Sequence, residues 1–219
     1  MMMNLEQARF NMIEQQVRPA RVLDQQALAA LATVRREDFV PAAYAHLAFA
    51  ATEIPLGHGQ HMFSPELEAR ALQALDLTDD DRRVLEVGTG SGYMAALLSL
   101  HAERVWSFEI DPMLADMARA NLRRARRDNV QVDTGDGLRG LLSYAPFDAI
   151  MVSGAVAEVP QALLDQLRSG GRLFAIVGEP PAMRACLIRR TASGFQQIPL
   201  FETAADFLRG AEPKPSFAF

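Results

Sequence analysis

Three glycines at alternate positions, in Val84-Leu85-Glu86-Val87-Gly88-Thr89-Gly90-Ser91-Gly92-Tyr93, mark the segment of this chain richest in chemistry. An apolar, strand-like run leads into the turn and a helical pattern leads out of it. Glycine there permits positive φ and brings the backbone close to a ligand. A dinucleotide fingerprint of the form G-x-G-x-x-G needs a sixth-position glycine, where this chain has Tyr93. Glu86, two residues before the first glycine, would repel a pyrophosphate but suits the cationic amino-acid end of a ligand. Glu109 closes the next apolar run, where an acid accepts hydrogen bonds from a ribose diol. Asp136, between Gly135 and Gly137 after a third run, is placed to accept from an exocyclic adenine amine. S-adenosylmethionine, with an adenosine, an ammonium group and no phosphate, satisfies all three acids in chain order. Taken singly, Glu109 and Asp136 also read as caps of the turns that follow them.

Other reactive side chains carry less. Ser64 either orients an acceptor carboxylate or simply caps the helix that Pro65 begins. His58 and His61 stand three apart in a glycine-rich stretch without a third ligand cluster, so no metal site is expected. Arg123, Arg124, Arg126 and Arg127 end a predicted helix and complement the negative end of its dipole. Trp106 and Cys186, in apolar strands, read as core.

The positioning elements follow from periodicity. Leu5, Ala8, Met12, Ile13 and Val17 recur at helical spacing up to Arg18-Pro19, and Asp24 caps a second helix through Leu28, Leu31 and Val34. Pro55 to Gln60 reads as a loop with two glycines, and a helix from Pro65 carries Leu67, Ala71, Leu72 and Leu75 on one face. From Arg82 onward, strands alternate with helices: Val84–Val87, a helix from Ser91 to Leu100, Arg104–Glu109, a helix from Pro112 to Arg126, Val130–Val132 and Phe147–Val152. A helix from Pro160 to Leu167, stopped by Gly170-Gly171, precedes a strand over Leu173–Gly178, and antiparallel strands follow around Cys186–Ile188 and Phe195–Ile198. This alternation implies βαβ units.

Composition narrows the setting. The 219 residues include 22 basic and 27 acidic side chains, a formal charge of −5, which disfavours nucleic acid and anionic membranes as partners. One cysteine excludes an internal disulfide framework. Met1 to Gln7 lacks a basic region followed by an apolar stretch, and no apolar run reaches the ~18 residues of a membrane span. A soluble, cytoplasmic protein is expected.

On several segments the chain resembles the protein-L-isoaspartate O-methyltransferase family of class I methyltransferases. The matching residues are Val34-Arg35-Arg36-Glu37-Asp38-Phe39-Val40-Pro41, Ile54-Pro55-Leu56-Gly57-His58-Gly59-Gln60, Val84 to Tyr93, Asn129-Val130, Gly135-Asp136-Gly137, Ala145 to Ile150, Gln166-Leu167, Gly170-Gly171 and Val177-Gly178. The resemblance implies S-adenosyl-L-methionine as cofactor, methyl transfer to the α-carboxylate of an L-isoaspartyl residue in a protein or peptide, and a loop after Gln60 that closes over the cofactor. The implied cofactor set is Gln60, His61, Met62, Glu86, Val87, Gly88, Thr89, Gly90, Glu109, Ile110, Asp136, Gly137 and Ser153, with Ser64 as the candidate catalytic residue. Typical members follow Gly-Gln with Thr-Ile-Ser. Here the threonine position holds His61 and the serine position holds Phe63, with a hydroxyl one residue later on Ser64. The fourth-strand Val-Thr-Ala-Ala reads Val152-Ser153-Gly154-Ala155, and the region from Phe201 to Asp206 departs from the family pattern.

The expected architecture is α/β: a doubly wound, mostly parallel, Rossmann-like methyltransferase sheet with an N-terminal helical extension. Residues 1–80 form the extension and covering loop, 81–200 the cofactor-binding core and 201–219 a tail. The leading function is a carboxyl O-methyltransferase acting on damaged aspartyl residues. Phe63 keeps open a different acceptor, small molecule or protein group, and a non-catalytic cofactor-holding module is a further reading. Tyr93 argues against a nicotinamide oxidoreductase.

Overall fold

The computed structural model describes residues 4–214. Its first helix, α1 (Leu5–Met12), widens into a π-helical turn over Ile13–Val17 that closes with Arg18 N donating to Ile13 O at 2.9 Å. Asp24 caps α2 (Gln25–Thr33), accepting from Ala27 N at 2.7 Å. Ser64 caps α3 (Pro65–Leu75), whose Leu67, Ala71, Leu72 and Leu75 are buried. Here the sequence pattern and the packing agree.

The central sheet contains β3 (Arg83–Val87), β4 (Arg104–Glu109), β5 (Val130–Thr134), β6 (Phe147–Val156), β7 (Leu167–Val177), β8 (Arg184–Thr191) and β9 (Gly194–Glu202). Its order is β5-β4-β3-β6-β7-β8-β9, with the first five strands parallel and the last two antiparallel. Helices α4 (Tyr93–Leu98) and α5 (Pro112–Arg124) cross over β3–β4–β5 and pack with α3 into one core; α6 (Gln161–Asp165) covers the other face, where Leu85, Trp106, Phe147 and Ile150 are buried. Apolar side chains on both faces of β3 and β6 are what a doubly covered parallel sheet requires. Because the chain runs outward through β4 and β5 and then returns to β6, the carboxyl ends of β3 and β6 form the topological switch point where open α/β sheets bind ligands. The doubly wound, mostly parallel sheet and its N-terminal helices are as expected.

Two segments differ from the sequence reading. The stretch expected as a loop over Pro55–Gln60 is a hairpin, β1 (Ile54–Gly57) with β2 (Gln60–Met62), turned at His58-Gly59. It is too short for a periodicity signal. Gly170-Gly171 does not stop a helix: α6 ends at Asp165 and both glycines lie within β7. A Cβ on Gly171 would sit 2.9 Å from Arg168 O and 3.1 Å from Phe147 O, so close strand approach, not helix termination, requires glycine there. The basic cluster sits at the end of α5, where Arg124 donates to Asp38 O and Asn121 Oδ1, both at 2.6 Å. Trp106 and Cys186 are buried. Met1–Met3 and the last five residues of the expected tail, 215–219, lie outside the described residues.

Candidate functional site

At the end of β3 the backbone must turn sharply beside its neighbours. Gly88 has φ +92°, and a Cβ on it would lie 2.7 Å from Leu208 Cδ2 and 3.0 Å from Ser153 O. Gly88 N donates to Phe108 O at 2.8 Å, tying the turn to the end of β4. Alanine here would meet both strain and collision. Gly88→Ala is expected to destabilise the fold by about 1–3 kcal/mol and to weaken ligand binding, as read by thermal unfolding and calorimetry.

The three acids sit at the tips of β3, β4 and β5, as their order in the chain implies. Glu86 is fully buried; Ser107 Oγ donates to its Oε2 at 2.5 Å and Ser153 Oγ to its Oε1 at 2.9 Å. Burial pushes its carboxyl up to about 8, and the nearby Glu109 adds to the rise against the two serine hydroxyls. No cationic side chain bonds to it among the described residues. Glu109 accepts from Gly90 N at 2.8 Å and from Asp111 N at 3.0 Å, so it also braces the glycine turn. Asp136 accepts from Leu138 N at 3.0 Å and is more open.

The β1–β2 hairpin covers these tips and is fastened by the far end of the chain. His61 Nδ1 lies 2.6 Å from Asp206 Oδ2, and His58 Nδ1 lies 2.8 Å from Asp111 Oδ2. Arg209 donates to Asp111 Oδ2 at 3.3 Å and to His58 O at 3.1 Å. Ala155 N donates to Asp206 O and Leu208 N to Ala155 O, at 2.7 and 2.9 Å, so residues 206–208 pair with β6 beyond the point where β3 ends. Beneath the hairpin, the wholly buried Arg36 donates to Ala48 O at 3.0 Å, to Phe63 O at 2.7 Å and to Glu68 Oε2. Together these elements line a half-open cavity whose space, mouth included, is about 780 Å³.

A family model described as protein-L-isoaspartate(D-aspartate) O-methyltransferase matches residues 7–202. The chain belongs to that family. Protein-L-isoaspartate O-methyltransferases of Koribacter versatilis and Methanoculleus marisnigri are each 41% identical to it over 192 residues, 88% of this chain and 86% and 87% of theirs. In fold it is similar to a solved protein-L-isoaspartate O-methyltransferase (TM-score 0.78, 24% identity), covering 94% of this chain and 66% of that one. It is also similar to one from Plasmodium falciparum solved with S-adenosyl-L-homocysteine (TM-score 0.79, 19% identity), covering 94% and 99%. As a member of the protein-L-isoaspartate O-methyltransferase family, the chain is an S-adenosylmethionine-dependent methyltransferase, the class its strand-tip acids imply.

Within this family member, Gln60, His61, Met62, Glu86, Val87, Gly88, Thr89, Gly90, Glu109, Ile110, Asp136, Gly137 and Ser153 all line the one cavity. Ser64 does not line it. Its Oγ accepts from Leu67 N at 3.3 Å as the cap of α3, the second of its two sequence readings, while Phe63 does face the cavity. His58 and His61 bond to different carboxylates. Among the lining residues not read from the sequence are Glu68, Leu208 and Arg209. Glu68 had a signal, a carboxylate on the same helical stripe as Leu72 and Leu75. Leu208 and Arg209 lie beyond the matched family span and reach the site only through long-range pairing.

Proposed function

We propose that the cavity holds S-adenosylmethionine and that the chain methylates the α-carboxylate of L-isoaspartyl residues in damaged proteins or peptides. The observation that carries the cofactor's placement is Glu86: a carboxylate wholly removed from water, held by two hydroxyls and lacking a cation, is completed by a ligand ammonium. Glu109 is positioned for the ribose diol and Asp136 with Gly137 for the adenine, with Ile110 as an apolar wall. The Gly88–Gly90 backbone, Val87, Thr89 and Ser153 surround the amino-acid end, and Gln60, His61 and Met62 form the cover. A pyrophosphate ligand does not fit walls carrying Glu86, Glu109 and Asp136.

When bound, the cofactor supplies a sulfonium methyl group to an in-line nucleophile. The chain's own contribution is alignment and exclusion of water: the hairpin and residues 206–209 close the site, and Arg36 fixes the Phe63 carbonyl at its acceptor side. A carboxylate acceptor, with an ordinary pKa of about 4, is already ionised and needs no general base. That agrees with the cavity: the ring nitrogens of His58 and His61 nearest a partner are engaged with Asp111 and Asp206. In this reading residues 1–80 hold the covering and recognition elements, 81–200 hold the cofactor, the tail 201–219 contributes the closing strap through residues 206–209, and the enzyme works in the cytoplasm.

A second reading, a different acceptor, is favoured by one observation: Phe63 occupies the family serine position and faces the cavity. Incubation with labelled cofactor and an isoaspartyl peptide is expected to give base-labile methyl ester well above that with the normal aspartyl peptide. Equal, background-level transfer to both peptides favours the second reading. A gain of isoaspartyl activity in Phe63→Ser would then assign the loss to that ring.

A further inference from the structure

Residues 206–209 are tied down on two sides of the cavity. Asp206 O accepts from Ala155 N at 2.7 Å and Leu208 N donates to Ala155 O at 2.9 Å, which fixes the segment to β6. Arg209 donates to Asp111 Oδ2 at 3.3 Å, just past the end of β4, and to His58 O at 3.1 Å on the hairpin. In the sheet, β3 lies between β4 and β6. A segment fastened beyond both neighbours passes over the tip of β3, where Glu86 and Gly88 stand.

One side chain seats this segment. Leu208 lines the cavity, and its Cδ2 fills the space that a Cβ would need on two glycines, 2.7 Å from that position on Gly88 and 2.6 Å from it on Gly154. Gly88 also needs glycine for its φ of +92°, but Gly154 has no left-handed φ. It lies inside β6, where the family pattern carries alanine. What glycine gives at 154 is therefore room for Leu208. The leucine stands beyond the matched family span of residues 7–202, so knob and hole both depart from the pattern and fit each other.

We propose that Leu208 is a positioning residue for the cofactor: seated between Gly88 and Gly154, it holds residues 206–209 as a bar over the amino-acid end of the bound molecule and sets the rate at which that molecule leaves. The inference rests on the cofactor placement above, with the ammonium at Glu86, and deepens it. The nucleoside lies toward the tips of β4 and β5, so the bar acts on the amino-acid end and not on the adenosine. Release requires Leu208 to leave its hole, which also frees Asp206 and Arg209 from their hold on the hairpin.

The test compares two ligands on three proteins. S-adenosylhomocysteine carries the amino-acid end; 5′-methylthioadenosine has the same nucleoside and thioether but stops at a methyl group. The proteins are wild type, Leu208→Ala, which empties the hole, and Gly154→Ala, which fills it. Both variants are expected to release S-adenosylhomocysteine at least about tenfold faster in stopped-flow displacement, while calorimetric affinity for 5′-methylthioadenosine stays within about twofold of wild type. Should Gly154→Ala fail to fold, Gly154→Ala/Leu208→Ala, which relieves the collision, takes its place with the same expectation. Unchanged release of S-adenosylhomocysteine in either variant overturns the proposal, and so does an equal weakening of both ligands, which is a general loosening of the site. Either result leaves the cofactor placement standing. A wild type that binds S-adenosylhomocysteine no more tightly than 5′-methylthioadenosine overturns the placement of the ammonium at Glu86 and this inference with it.

Discussion

Glu86→Gln is expected to weaken binding of S-adenosylmethionine and S-adenosylhomocysteine by about a hundredfold, as measured by calorimetry, without unfolding the protein. The size follows from removing one partner of a desolvated charge pair, a loss of roughly 2–5 kcal/mol. Retention of the fold follows from the isosteric amide, which still accepts from one of the two serine hydroxyls. The same substitution has a pH consequence of definite sign. Burial raises the Glu86 carboxyl from 4.5 to about 8 in the folded chain, so the folded state binds the proton more tightly than the unfolded one. Its contribution to stability is complete below 4.5 and is lost as pH rises through about 8. The ligand-free wild type should therefore melt lower at about pH 9 than at about pH 6, and Glu86→Gln should shrink that difference. Burial also raises the Glu68 carboxyl, against the opposing pull of its ion pair with Arg36, so any slope it adds has the same sign. Saturating cofactor should restore the wild type at high pH and the variant much less. Equal affinity in the two proteins would remove Glu86 from the binding account.

The second large effect is on stability. Arg36→Met leaves Glu68 buried without its partner and strips the Ala48 and Phe63 carbonyls of their donor. Breaking a buried pair from one side costs about 3–5 kcal/mol. For a chain of this size that lowers the melting temperature by roughly 10 °C. Arg36→Met/Glu68→Leu should recover much of the loss, because the uncompensated charge is gone. Calorimetric or denaturant unfolding of the three proteins decides the matter; an Arg36→Met variant as stable as wild type would contradict the pairing described here.

How far the sequence carries depends on the range of the interaction involved. The caps at Asp24 and Ser64, the apolar stripe of α3 and the βαβ alternation are local signals, and they lie where the pattern puts them. The glycine turn with Glu86, Glu109 and Asp136 was legible for a related reason: consecutive parallel strands end on the same edge, so three acids at three strand ends must converge. What was not legible depends on contacts between distant segments. Gly170 and Gly171 read as a helix stop because nothing local reports that the Phe147 and Asp148 carbonyls press against Gly171. The hairpin over residues 54–62 owes its position to His61 meeting Asp206, 145 residues away. Leu208 and Arg209 reach the cavity because β6 continues past the end of β3 and offers its edge to the chain's far end. Ser64 was ambiguous in a different way, since its hydroxyl suits a cap or an acceptor site equally, and only the placement of its oxygen on Leu67 N distinguishes them.

The most direct test of the central claim is a crystal structure of the chain with S-adenosylhomocysteine bound. The expected density places the ligand in the cavity at the ends of β3, β4 and β5, its amino group within hydrogen-bond distance of Glu86, its ribose hydroxyls on Glu109 and its adenine beside Asp136. A ligand bound elsewhere, or seated in that cavity with its amino group turned away from Glu86, would contradict the account.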